Sequence, residues 1–266
     1  MRNNQTPDSS VVVPAVRDHG CPDRAPILGL RSVFFAALVL ATTSATAQTN
    51  IEREFTFYVQ QAWPKQTTTN RQIEDINDAF GTNFDDWSDV PNLSVGAQLL
   101  WRVAPGWKLG VQVDYGNGSI SGTERVPTDA GTAKLSFEQR YDVYADAYAV
   151  AKWNPWPAAE RIRPFLYGGI GIAYESDKTT LTLHNEFIDS RLRVDNDGWF
   201  PTYSAGIGVD VPWSTTKWFF EAGVAYVWAR MTNKAPATGD LAPSATVTAD
   251  TDLTGPNYWV GVGRSF

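Results

Sequence analysis

His184, Ser190 and Glu186 are the residues of this chain best suited by type to acyl chemistry: an imidazole base, a hydroxyl nucleophile and a carboxylate to orient the base. They share one polar stretch, but no His-x-Ser motif sets base and nucleophile on one strand face, so His184 reads as an exposed loop histidine. Two acidic clusters, Asp85, Asp86 and Asp89, and Asp195 with Asp197, have the hard oxygen donors that calcium prefers. Solvated loops have the same composition, and that is the expectation here. One Cys and two His form no Cys/His zinc pattern. Gly168-Gly169-Ile170-Gly171 lies inside an apolar alternation with no helix after it, so it is not a phosphate loop. No catalytic residue, cofactor or metal site is expected.

The elements that would position such groups are strands. The chain has 266 residues, 43% apolar and 13% aromatic, with a net charge of −7. One Cys excludes a disulfide scaffold, and the aromatic content excludes a disordered chain. The acidic balance disfavours nucleic acid as a partner. The mean hydropathy of −0.27 excludes a bundle of membrane helices. Instead, apolar residues recur with a period of two, the mark of a half-buried strand. Phe55, Phe57 and Val59 oppose Thr56, Tyr58 and Gln60; Leu93 to Trp101 oppose Ser94, Gln98 and Arg102. Trp107 to Tyr115 oppose Lys108, Gln112 and Asp114, and the alternation of Phe137 to Trp153 opposes Glu138, Arg140, Asp142, Asp146 and Lys152. Further segments centre on Leu166–Tyr174, Tyr203–Val211, Trp218–Trp228 and Tyr258–Phe266. Eight such segments of about ten residues predict an all-β fold: an eight-stranded antiparallel up-and-down transmembrane β-barrel.

The connections alternate in length. Short links at 104–106, 155–162 and 212–216 alternate with long ones at 64–91, 122–134, 176–196 and 231–255. Short periplasmic turns and long extracellular loops are the expected arrangement for an outer-membrane barrel. Six of the eleven tryptophans, Trp101, Trp107, Trp153, Trp156, Trp213 and Trp218, flank the short turns. They predict an aromatic girdle at the headgroup level, with Trp63, Trp199 and Trp228 near the opposite rim. Arg102, Asp114, Glu138, Arg140, Asp142, Asp146, Lys152, Arg163, Asp210 and Glu221 fall on the polar face and are expected to pair inside the lumen. A filled polar core is the first reading and a narrow pore the second.

Residues 1–47 read as an N-terminal extension with a cleaved signal peptide, followed by a barrel domain at 48–266. Val33 to Ala41 is a short apolar core after Arg31, and Ala45-Thr46-Ala47 is a small-residue cleavage site. After Met1 the next Met is Met231, and the reading places the translation start at a non-Met codon near Leu28 or Leu30.

The run Arg163-Pro164-Phe165-Leu166-Tyr167-Gly168-Gly169-Ile170-Gly171-Ile172-Ala173-Tyr174 and the ending Tyr258-Trp259-Val260-Gly261-Val262-Gly263-Arg264-Ser265-Phe266 carry a resemblance. With them the chain resembles the small eight-stranded outer-membrane β-barrel family, which includes the outer-membrane protein A transmembrane domain and opacity-type porin-like proteins. The resemblance implies an assembly signal at Tyr258, Val260, Val262 and Phe266, read by the barrel-assembly machinery. It departs from the family at Arg264, which stands where an aromatic is common and is expected either to snorkel to the interface or to weaken recognition by that machinery. The implied partners are outer-membrane lipid and lipopolysaccharide, with an unidentified extracellular ligand reached through the loops. The implied role is structural or surface-interacting and not enzymatic. A porin-like channel for ions or small solutes is the alternative. A lipid A-modifying hydrolase, which some members of such barrels are, is the second; it would depend on His184.

Overall fold

The computed structural model describes residues 52–87, 90, 92–129, 131–213, 216–240 and 245–266; the expected signal sequence with Ala45 and Ala47 lies outside the described residues. Among them are nine strands and one helix. The strands are β1 (Arg53–Ala62), β2 (Asn92–Ala104), β3 (Trp107–Thr128), β4 (Gly131–Trp153), β5 (Arg163–His184), β6 (Asp189–Pro212), β7 (Trp218–Thr238), β8 (Ala245–Asp252) and β9 (Gly255–Ser265); the helix is α1 (Thr67–Phe80).

Each consecutive strand from β1 to β7 pairs antiparallel with the next. β9 pairs with both β7 and β1 and closes the ring. β8 and β9 are two lengths of one stave. β7 pairs Trp218–Val227 with Arg264–Gly255, then Arg230–Ala237 with Asp252–Ala245, so the register runs unbroken across Leu253 and Thr254. The wall therefore has eight staves. Within the lower barrel this closure leaves no free sheet edge, which a spanning sheet requires because lipid offers its backbone no hydrogen bonds.

The lower barrel presents apolar side chains outward. Phe57 is 52% exposed, Leu93 60%, Ile170 64% and Val260 65%, values that belong to a lipid-facing belt and not to a surface in water. Trp107 and Trp153 stack at 5.8 Å at its lower edge. Trp156, Trp213 and Trp218 are exposed on the same rim, and Trp101 is half-buried there. The upper edge carries Tyr115, Tyr174 against Trp199 at 5.0 Å, Tyr226 against Trp228 at 5.0 Å, and Trp63 against Tyr258 at 5.4 Å. From Trp107 to Tyr115 the strand rises about 26 Å, or about 20 Å once tilted by roughly 40°, close to the height of an outer-membrane apolar band. Tyr258, Val260, Val262 and Phe266 all face outward, and the Arg264 guanidinium lies 5.5 Å from the Trp218 ring at the lower rim.

The upper half differs from the expected long loops. β3 to β7 run 21 to 24 residues each, so the links at 122–134, 176–196 and 231–255 are mostly paired strand that continues the barrel as a crown beyond the aromatic edge. Backbone pairing persists there because alternate Thr, Val, Leu and Ser residues favour strand as much as the membrane segments do. The link after β1 is not a plain loop either. Trp63, Lys65 and Gln66 donate backbone N–H groups to Pro256, Thr254 and Asp252, and α1 follows, ended by Gly81 at φ 65°.

Candidate functional site

The lumen is built from the inward positions of each stave. On β1 the inward residues are Glu54, Thr56, Tyr58 and Gln60; on β3 they are Lys108, Gln112 and Asp114. β4 adds Asp146, Tyr148 and Lys152, β6 adds Ser204 and Asp210, and β7 adds Glu221. Near the lower end, Lys152 is the hub. Its Nζ donates to Asp210 Oδ1 and Glu221 Oε2, each at 2.7 Å, and lies 4.0 Å from the Phe165 ring centre. Trp259 Nε1 donates to the other Glu221 oxygen at 2.9 Å. Beside this triad, Lys108 Nζ donates to both oxygens of Glu54 at 2.7 Å.

A second layer lies above. Tyr58 donates to Asp114 Oδ1 at 2.5 Å and Gln112 Nε2 to Oδ2 at 2.8 Å. Tyr167 donates to Gln112 Oε1 at 2.8 Å, and Tyr144 to Asp146 Oδ2 at 2.6 Å. Gly96 makes room for this layer, since a Cβ there would collide with Asp114 and Tyr58. The space left in the lumen is small: cavities of about 20 Å³ and 40 Å³. That is water-sized space.

The ten charged residues expected in the lumen divide. Asp114, Asp146, Lys152, Asp210 and Glu221 are buried inside it. Glu138 and Arg140 are exposed, and Asp142 is half-buried with them on the outside of the crown. The cause is a bulge: β4 carries one extra residue between Tyr141 and Val143 against both β3 and β5. An extra residue moves every side chain beyond it to the other face. Asp142 there pairs with Arg140 at 2.6 Å and with Lys178, and the hydrogen bond from Lys178 holds its carboxyl below the ordinary carboxylate range. Arg102 is also outside the lumen, paired with Glu52 at 2.7 Å at the lower rim, where β2 ends. Arg163 is half-buried at the same end, and its Nε donates to Ala159 O at 2.9 Å. Glu54 and Trp259 carry lumen contacts that the charge and girdle counts missed; their alternation with Phe55 and with Tyr258 was the available signal.

The crown has a core of its own. Ile73 of α1, with Phe84 and Trp87, packs inside it against Ile120, Val126, Leu135, Phe137 and Tyr141. Trp87 is fully buried, and its Nε1 donates to Gln139 Oε1 at 2.7 Å. Gln66 Nε2 donates to the Tyr141 hydroxyl at 2.6 Å. The first connection thus folds back into the mouth of the barrel. The spacing of Ile73, Ile76 and Phe80 before Gly81 was its sequence signature. His184 stands at the tip of the β5–β6 hairpin with its Nδ1 3.4 Å from Asp189, and Glu186 is exposed beyond it. Asp195 pairs with Arg193 at 2.9 Å, and Asp89 lies outside the described residues. Among the described residues, no three His, Cys, Asp or Glu side chains are placed to hold a metal ion.

Fold and site together define a small eight-stranded transmembrane β-barrel, with a lipid-facing belt, a lumen filled by ion pairs and a structured crown on one side. No known family profile matches the chain, and no curated protein sequence does. Among solved structures it is similar to the N-terminal β-barrel domain of Pseudomonas aeruginosa OprF, at 10% identity over 81% of this chain and 97% of that one, with a TM-score of 0.36. It is similar to outer membrane protein W of Escherichia coli at 18% identity over 82% and 100%, with a TM-score of 0.37. Ail, the attachment invasion locus protein of Yersinia pestis, is similar at 11% identity over 82% and 100%, with a TM-score of 0.32. The barrel assignment itself rests on this chain's own pairings.

Proposed function

We propose that this protein is a non-conducting scaffold of a Gram-negative outer membrane, exported by a cleaved signal peptide, whose crown makes contacts at the cell surface. Its partners are outer-membrane lipid, lipopolysaccharide on the outer leaflet and, during biogenesis, the barrel-assembly machinery. The observation that carries this reading is the contrast between the two halves. The lumen is closed by charges bound directly to one another, with only water-sized voids, while five strands extend far past the membrane edge around a buried core. A barrel that served only to conduct would have no use for such a crown, and one that served only to span would stop at the aromatic edge.

Fractionation with heat-dependent gel mobility tests location and closure. The protein is expected in the outer membrane and should migrate faster unboiled than boiled. Recovery as a soluble periplasmic protein without a mobility shift overturns the proposal. Steady single-channel conductance in planar bilayers, altered by changing Lys152, would replace it with the channel reading. Lipid A changed in a His184-dependent way would replace it with the hydrolase reading.

A further inference from the structure

Above the aromatic edge, α1, β4, β5, β6 and β8 enclose a cavity of about 330 Å³ that is separate from the lumen voids. Its size falls at the lower end of small-molecule sites. Ile76, Phe137, Leu181 and Val194 give it apolar walls, and exposed Asp75 and Thr248 lie at its rim, so it opens outward. Its floor is acidic. Asp177 lines it at 5% exposure, and Glu175, two residues along the same inward face of β5, is fully buried beneath. Asn196 donates to Asp177 Oδ2 at 2.9 Å and Thr251 to Glu175 Oε1 at 3.2 Å. Glu175 and Asp177 also share a hydrogen bond, and Asp250 Oδ1 is buried and accepts none among the described residues.

No Lys, Arg or His lines the cavity among the described residues. Lys178 and Arg193, the basic neighbours on β5 and β6, are bound to Asp142 and Asp195 instead. A buried carboxyl is stabilised by taking up a proton or by a positive partner, and the two arranged here have polar partners but no counter-charge among the described residues, so a cation entering the cavity would supply it. A divalent metal does not suit them, since no third ligand is in place. Apolar walls above an acidic floor instead match an ammonium group on a hydrocarbon or aromatic body.

We propose that this cavity binds a small amphipathic organic cation, its ammonium seated on Asp177 and its apolar body against Ile76, Phe137, Leu181 and Val194. The whole barrel in detergent micelles is titrated calorimetrically with 2-phenylethylammonium, and in parallel with neutral 2-phenylethanol. The ammonium is expected to bind saturably, and the alcohol at least about tenfold more weakly. Asp177→Asn should lose about the same factor, whereas Glu138→Gln, on the outside of the same crown, should lose nothing. Leu181→Trp, which fills the cavity and leaves the charges intact, should also abolish binding. Heat-dependent mobility confirms that each variant is folded. Equal binding of alcohol and ammonium, no binding of either, an unaffected Asp177→Asn, or preferential binding of calcium alone each overturns the proposal. None of these results alters location or conductance, so this inference fails separately from the scaffold reading.

Discussion

Replacing Lys152 by Met is the sharpest test of what closes the lumen. The ammonium is 1% exposed and 2.7 Å from both Asp210 and Glu221, whose side chains are 4% exposed. Met preserves most of the volume, so the packing cost is small. What is lost is, among the described residues, the only ammonium bound to these two carboxylates, since both hydrogen bonds of the neighbouring Lys108 go to Glu54. At neutral pH one carboxyl must then take up a proton to stay buried. Taking up a proton at pH 7 costs about 1.4 kcal/mol for each pH unit above the range in which a carboxyl in the unfolded chain titrates, roughly 4 kcal/mol in all. Broken buried pairs generally cost about 3–5 kcal/mol, in agreement. The assay is urea unfolding in lipid vesicles, followed by tryptophan fluorescence. The deficit of K152M should shrink by about 1.4 kcal/mol for each pH unit of acidification between about 7 and 5. Adding Asp210→Asn and Glu221→Gln to K152M should restore most of it, because an uncharged site needs no counter-ion. A deficit below about 1 kcal/mol with no pH dependence refutes the reasoning, since it would mean that water already solvates the site.

Three further outcomes are expected. Val111→Arg, at the middle of the lipid-facing belt, should cost about 2–4 kcal/mol in vesicle unfolding, and Trp107→Arg at the lower rim no more than about 1 kcal/mol from its charge; equal costs would contradict the belt. Trp87→Ala should open the crown core at a local cost of about 3–5 kcal/mol, seen as faster proteolysis between β1 and β2, while the unboiled mobility shift of the barrel persists. Burial, reinforced for Glu175 by the charge of Asp177, pushes both carboxyls above their ordinary range, so the folded crown binds protons that the unfolded chain releases. Their protonation adds stability as pH falls toward about 4, and that contribution is lost as pH rises through the raised values. Asp142, shifted the opposite way, contributes stability that is lost only below that window. Amide exchange in β5 and β6, corrected for intrinsic rates, should therefore be slower at about pH 5.5 than at about 7.5, and Glu175→Gln with Asp177→Asn should abolish the difference.

Much of the lower barrel is legible in the sequence because two solvents, lipid outside and a polar lumen inside, impose a strict period of two. Phe55, Phe57 and Val59 could face nothing but lipid once Glu54, Thr56 and Tyr58 faced inward. The clustering of Trp101, Trp107, Trp153, Trp156, Trp213 and Trp218 at short turns likewise reflected one physical preference, that of indole for the headgroup level. Composition was silent where one residue type serves two settings. Trp259 and Trp87 look like girdle residues by type, but each is buried and donates to a buried acceptor, Glu221 and Gln139. The end of the membrane segment was also hidden, because the crown uses the same strand-forming residues as the belt.

The misplacement of Glu138 and Arg140 points to how the two halves are joined. Below the aromatic edge the outer face must be apolar and the inner face polar; above it, water lies outside and an apolar core inside. A strand that keeps strict alternation cannot satisfy both unless its pattern inverts at the boundary. β3 inverts by composition: its inward positions change from Gln112 and Asp114 to Ile120 and Val126, with Gly116 and Gly118 between. β4 inverts by geometry. Its apolar series continues as Phe137 and Tyr141, and the extra residue at Asp142 turns that series from the lipid side to the inside, against Trp87 and Phe84. Without the bulge, Glu138 and Arg140 would meet the buried Trp87 and Phe137 would face water. The bulge thus lets one stave serve both a lipid-spanning wall and a water-exposed crown, and deleting Asp142 should unpack the crown while leaving the belt below it closed.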